Sequence, residues 1–165
     1  ALLVKKFRSK KIFIVDKSLV RLKIAKKILS CETIQYNKIS FMKDFFNKNN
    51  QMGSDYIFTA NPSIESHKAA LKIANKGSFI NLFGGVSKKN SKISLDSNYI
   101  HYNEINLMGS HGSSHRQHKK ALKMIENRDI DLRPLITHKF KLDDINKAYS
   151  LSLNGKALKV AIRPN

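Results

Sequence analysis

Short apolar runs alternate along this chain with longer stretches whose apolar positions recur at helical spacing. Ile12-Phe13-Ile14-Val15 is the clearest run, closed by the acid Asp16, and it predicts a short strand buried on both faces. Ser18 can then cap a helix over about residues 18–30, with Leu19, Leu22, Ala25 and Ile28 or Leu29 on one side and Lys and Arg between them. Upstream, Leu2, Leu3, Val4 and Phe7 lie among Lys and Arg as the last turns of a helix would. Thr33 to Tyr36 reads as a weak edge strand. Residues 39–50 read as a polar helix with Phe41, Phe45 and Phe46 on its buried side.

The alternation continues. Gly53-Ser54 turns into a second buried strand through Ala60, which Asn61-Pro62-Ser63 breaks. A helix from Ile64 to Lys76 follows, stopped by Gly77, and then a strand Ser78 to Phe83 running into Gly84-Gly85. A polar loop crosses residues 87–98, and Ile105 to Met108 is a strand leading to Gly109-Ser110-His111-Gly112. Ser114 can cap a helix over about 115–128 with Ala121, Leu122 and Ile125 inward. Leu135 to Phe140 reads as a strand. Asp143 begins a helix carrying Ile145, Ala148, Tyr149 and Leu153, ended by Gly155, and Lys159 to Ile162 is a final strand. Strand–helix alternation through residue 109 predicts an α/β fold with a parallel sheet and flanking helices.

Composition narrows the picture further. The 165 residues suit one domain with a real core, and no run approaches the ~20 apolar residues of a membrane span. Ala1 to Val4 is too short for a signal-peptide core. A single cysteine, Cys31, leaves no internal disulfide and no cysteine metal cage, so a reducing, cytoplasmic setting is the default expectation. The net charge of +19 raises nucleic acid as a partner, but the cations are scattered through every segment, with no aromatic-basic interleaving. The expectation is no nucleic acid and no membrane.

Two chemistries stand out by residue type. An acid at the end of a parallel strand, turning at once into a helix, is how a dinucleotide fold holds an adenosine ribose. Asp16 read alone is equally an acid favoured by the helix dipole. His111, His115 and His118 carry spacings that could hold a metal on one helical face, but His111 falls before the helix start. His67 falls on the polar side of its predicted helix. No metal site and no catalytic residue is assigned.

The order of these pieces resembles the carboxyl-terminal, cofactor-binding half of zinc-dependent medium-chain alcohol and polyol dehydrogenases, in the sorbitol (iditol) and threonine dehydrogenase branch. The resemblance runs over essentially the whole chain. It is carried by Ile14-Val15-Asp16 with Arg21-Leu22 and Ala25-Lys26, by Gly53-Ser54-Asp55, and by Ala74 to Ser78 leading into Phe83-Gly84-Gly85. It continues through Asn98 to Glu104, Gly109-Ser110, Leu135 to His138, Leu142 to Ala148, and Gly155-Lys156-Ala157-Leu158-Lys159-Val160.

The resemblance implies a Rossmann-like sheet and NAD rather than NADP. Asp16 would take the ribose hydroxyls with Arg21 beside the ribose and adenine. Ala60 and Asn61 would flank the adenine and its ribose. Leu82, Phe83 and Gly84 would border the nicotinamide, the backbone at Ser110 and Gly112 would bind the carboxamide, and Lys159 would face the pyrophosphate. Residues 1–112 would be a truncated NAD-binding domain, and 113–165 a segment that in the family packs on the catalytic domain. The family's first strand and Gly-x-Gly-x-x-Gly turn would fall before Ala1, as would its zinc ligands. Without that central strand the sheet is expected to split into a two-strand piece (12–16 and 33–36) and a three-strand piece (55–60, 78–83, 105–109). The implied partners are an alcohol or polyol substrate and a second subunit at the edge strand near residues 105–109. The 165 residues are expected to bind cofactor without catalysing. The alternative is a non-catalytic remnant that binds a nucleotide or a partner.

Overall fold

A computed structural model describes residues 1–6, 9–155 and 157–164; Phe7 and Lys156, which entered the sequence reading, lie outside the described residues. The chain forms two compact units, Ala1–Tyr36 with Ser114–Asn165, and Asn37–Ser113. The division expected from sequence, at residue 112, is a different cut.

In the first unit, helix α1 (Leu2–Lys6) precedes strand β1 (Phe13–Asp16), helix α2 (Leu19–Ile28) and strand β2 (Glu32–Gln35). β1 and β2 are parallel, with Phe13 opposite Glu32 and Asp16 opposite Gln35. A parallel pair needs a crossover, and α2 supplies it. Ser18 caps α2 by accepting the Arg21 N–H, and Leu22, Leu29 and Ile34 are buried. β1 is half-buried along its length rather than buried on both faces. The reason is width, because its sheet has only two strands.

The rest of that unit holds α6 (His115–Glu126), β6 (Ile136–Lys141), α7 (Ile145–Leu153) and β7 (Lys159–Arg163), the two strands again parallel. Ser114 and Gln117 form a reciprocal capping box at the start of α6. Its predicted inward residues are not inward. Leu122 is 55% and Ile125 45% exposed, because no described element packs on that side closely enough to bury a residue of α6. α7 buries only Ala148 and leaves Tyr149 and Leu153 exposed.

The second unit contains α3 (Phe41–Lys48), β3 (Ser54–Phe58), α4 (Ile64–Lys72), β4 (Ala74–Leu82), α5 (Ser97–Tyr102) and β5 (Asn106–Gly109). Phe41 and Phe45 are buried and Phe46 half-buried, as their helical spacing predicts. The sheet runs β3-β4-β5, all parallel. Strand side chains alternate, so Ile57, Ile80, Leu82 and Leu107 face one way. They form the core with Ala70, Leu71, Ile100 and Ile105. The other face carries Tyr56, Phe58, Phe79 and Met108, all exposed, with Tyr56 stacked on Phe79 at 5.6 Å. β3 is therefore not the buried strand its composition suggests, since helices cover one side of its sheet only.

The expected two-strand and three-strand pieces are thus both present, and the fold is α/β with parallel sheets and flanking helices. Two boundaries differ from the sequence reading. α4 stops at Lys72, and Ala74 already pairs with Ser54, while Gly77 at φ +73° absorbs the register shift that follows. Part of the expected loop at 87–98 starts α5, capped by Asp96 accepting the Tyr99 N–H. Among the described residues no helix is long and apolar enough to cross a membrane.

One core position is mismatched. Ser78 is 1% exposed and its hydroxyl has no hydrogen-bond partner among the described residues. Removing an unpaired buried hydroxyl stabilises, so Ser78→Ala is expected to raise stability by about 1 kcal/mol. Denaturant unfolding measures this, and a loss of stability would show that the hydroxyl is bonded in solution.

Candidate functional site

In the first unit the sequence places an acid where β1 ends, and the fold puts it at the amino end of α2. Asp16 Oδ1 accepts the Ser18 N–H at 2.8 Å, and Oδ2 lies 4.0 Å from Arg21 Nη1. A carboxylate has about four lone-pair sites. Oδ1 is committed to Ser18, and the more loosely engaged Oδ2, on a side chain one-third exposed, keeps acceptor capacity. The helix dipole favours the negative charge there. Arg21 also approaches Gly155, where a Cβ would sit 3.6 Å from Nη2, and Gly155 itself has φ +64° after α7. Asp16 therefore anchors the start of the helix, and its outer oxygen keeps room for a further donor. Lys159 begins β7, exposed and opposite Ile136.

The second unit gathers polar groups where β3 and β4 end. The Asn81 carbonyl accepts the N–H groups of Thr59 and Phe83, each at 3.0 Å. The Asn81 side chain accepts the Ser110 hydroxyl at 3.0 Å, tying the end of β5 to β4. Gly84 donates its N–H to Thr59 O at 2.7 Å. It also lies so close to Asn61 that a Cβ would be 2.7 Å from the Asn61 nitrogen. Ser66, from α4, donates to Asn61 Oδ1 at 2.8 Å. The exits of three parallel strands are thus bound into one rim, as binding crevices at the carboxyl ends of α/β sheets require.

The sequence-derived residues divide between these places. Asp16 and Arg21 come together, Asn61 meets Gly84, and Ser110 joins the rim through Asn81. Ala60 is an exposed member of the β3 exit, and Phe83 is 61% exposed beside Gly84. Leu82 packs against the helix-covered core. Gly112 lies exposed at φ +63° with open space where a Cβ would go. The sequence reading missed Thr59, Ser66 and Asn81. Asn81 had a visible signal, since it interrupts an apolar strand; Thr59 and Ser66 look like ordinary strand-end and helix residues.

His67 is a correction. It does not lie on a polar side: it is 7% exposed, with Nε2 3.2 Å from Gly84 O, because the loop after β4 folds back over that face of α4. Among the described residues no three His, Cys, Asp or Glu side chains cluster as a metal site, and His111, His115 and His118 are exposed. Burial pushes the Cys31 thiol up, with Glu32 adding to the effect and Lys26 opposing it, which disfavours the thiolate. The Asp16 carboxylate in the first unit and the rim in the second each present polar groups at the end of a parallel strand. Gly84→Ala is expected to cost about 1–3 kcal/mol, since its Cβ would meet backbone that cannot swing aside. An unchanged thermal midpoint would show that the Asn61 approach is loose.

No family model matches the sequence. The chain is 26% identical over 157 residues to an S-(hydroxymethyl)glutathione dehydrogenase of Escherichia coli O1:K1, covering 93% of this chain and 42% of that protein. In fold it is similar to an alcohol dehydrogenase of Thermotoga maritima, with a TM-score of 0.83 at 21% identity over 99% of this chain and 46% of the other. It is also similar to an Escherichia coli alcohol dehydrogenase solved with NADH, with a TM-score of 0.80 at 20% identity over 99% of this chain and 47% of the other. The chain spans less than half the length of these relatives. The chain is thus similar in sequence to curated dehydrogenases and shares the Rossmann-like fold of solved alcohol dehydrogenases.

Proposed function

We propose that this chain is the cofactor-binding portion of an NAD-dependent, zinc-type alcohol or polyol dehydrogenase of the sorbitol and threonine dehydrogenase branch. The observation that carries the proposal is the Asp16 carboxylate, held at the end of a parallel strand with acceptor capacity left over. Its charge accepts the two hydroxyls of an adenosine ribose and repels a 2′-phosphate, which selects NAD over NADP. The similar enzyme solved with NADH supports the same cofactor.

When bound, NAD supplies the hydride acceptor for oxidation of a secondary alcohol. The chain's own residues hold and orient it. Arg21 lies beside the ribose and adenine, Ala60 and Asn61 flank the adenine side, and Lys159 faces the pyrophosphate by charge alone. Leu82, Phe83 and Gly84 border the nicotinamide, and the backbone at Ser110 and Gly112 takes the carboxamide. The rim around Asn81 keeps that border rigid. Zinc is the metal of that family, and among the described residues no three His, Cys, Asp or Glu side chains cluster to hold it. On this proposal residues 1–112 carry the nucleotide and 113–165 return to a catalytic domain. Subunits would join at the edge strand near 105–109, in a cytoplasmic enzyme.

NADH titration, followed by calorimetry and by the blue shift of nicotinamide emission, tests the proposal. Saturable binding is expected, with NADPH weaker, and Asp16→Ala is expected to weaken NADH by about ten- to a hundredfold, the worth of charge-assisted hydrogen bonds. Asp16→Asn keeps an acceptor for Ser18 and is expected to narrow the preference over NADPH. Equal binding of NADH and NADPH by the unsubstituted chain would overturn the cofactor assignment. Joined to the upstream portion of a similar dehydrogenase, the chain is expected to support reduction of NAD by an alcohol. Nucleotide binding without turnover in that chimera would favour the non-catalytic remnant.

A further inference from the structure

His67 has no role in the proposed cofactor contacts, yet it is among the few buried polar side chains. It lies within α4, whose other buried residue is Ala70, and its Nε2 meets the carbonyl of Gly84 at 3.2 Å. A carbonyl oxygen can only accept, so Nε2 carries the proton and donates. The Gly84 N–H is already given to Thr59 O at 2.7 Å. Both main-chain polar groups of Gly84 are therefore engaged, one by the β3 exit and one by α4. A Cβ-less residue is also what lets Gly84 press against the Asn61 backbone.

We infer that His67 is a positioning residue: it clamps Gly84 and thereby fixes the direction in which the neighbouring Phe83 side chain, 61% exposed, is presented. Resting on the proposed cofactor site, this makes His67 the group that sets the nicotinamide border from behind, without touching the nucleotide. Three features converge on the clamp rather than on simple core filling. The side chain is polar where a leucine would bury more apolar area. Its donor is directed at a loop carbonyl rather than at its own helix. The bonded carbonyl belongs to a residue whose N–H and backbone are already fixed on the opposite side.

The test compares His67→Leu with His67→Gln in the full chain. Leucine fills space without a donor, whereas a glutamine amide can place an N–H near the position of Nε2. Amide hydrogen exchange at Phe83 and Gly84, whose N–H groups are bonded to Asn81 and Thr59, is expected to quicken about tenfold in His67→Leu. It is expected to return to within about twofold of the parent in His67→Gln, while Ile57 and Ile80 in the strands stay unchanged in both. NADH affinity is expected to fall and recover in parallel. Unchanged exchange at Gly84 in His67→Leu, or equal acceleration in the leucine and glutamine variants, would overturn the clamp. If the parent binds no NADH at all, the cofactor proposal fails by itself, and the exchange comparison still decides whether His67 holds the loop. Should His67→Leu fail to fold, failure of His67→Gln to keep parental exchange at Gly84 overturns the inference.

Discussion

One carbonyl oxygen organises the end of the three-stranded sheet. Asn81 O receives the N–H of Thr59 from the neighbouring strand exit and the N–H of Phe83 from its own. Strand exits in a parallel sheet otherwise diverge into separate loops, each with unpaired main-chain groups. Sharing one acceptor brings the exits of β3 and β4 to a common level, and the Asn81 side chain extends the arrangement to Ser110 beyond β5. Every group proposed to border a nicotinamide is within a few residues of that junction. The Gly84 approach to Asn61 is possible only because the two exits have already been drawn together.

The other unit uses a carboxylate in two ways. Asp16 satisfies a main-chain N–H at the start of α2, a need that any helix beginning after a strand has. The same side chain stays one-third exposed, with Arg21 4.0 Å from its second oxygen. A structural duty and the proposed binding role thus fall on one side chain. This is why the residue type alone did not separate them, and why the conservative asparagine variant is the informative one.

Much of the fold could be read from local signals. The β1–α2 junction was legible because an apolar run, a terminal acid and a capping serine all lie within seven residues of each other. The Phe41 and Phe45 face followed from helical spacing alone. What failed was decided at a distance. α4 ends early because Ala74 pairs with Ser54, twenty positions away, and no local pattern reports that competition. Tyr56 and Phe58 have the composition of a core, but whether a core forms there depends on which elements cover the face. His67 looked solvent-facing because its acceptor lies 17 residues further along. Asn81 is the instructive case: a polar residue inside an apolar strand marks a junction, and it is visible without coordinates.

The three-stranded sheet ends in the edge strands β3 and β5, whose outer main-chain groups a neighbouring strand can pair, and Tyr56 and Phe79 offer a flat aromatic surface beside β3. Copies of the chain meeting edge to edge would satisfy those groups by pairing. Opposing this is a surplus of nineteen positive charges spread over all segments, which makes each encounter between copies repulsive. At physiological ionic strength that repulsion reaches only about 8 Å. Colloidal behaviour is therefore governed by the surrounding electrolyte: dilute buffer keeps molecules apart, and concentrated salt or a polyanion removes the barrier that the sheets themselves do not provide.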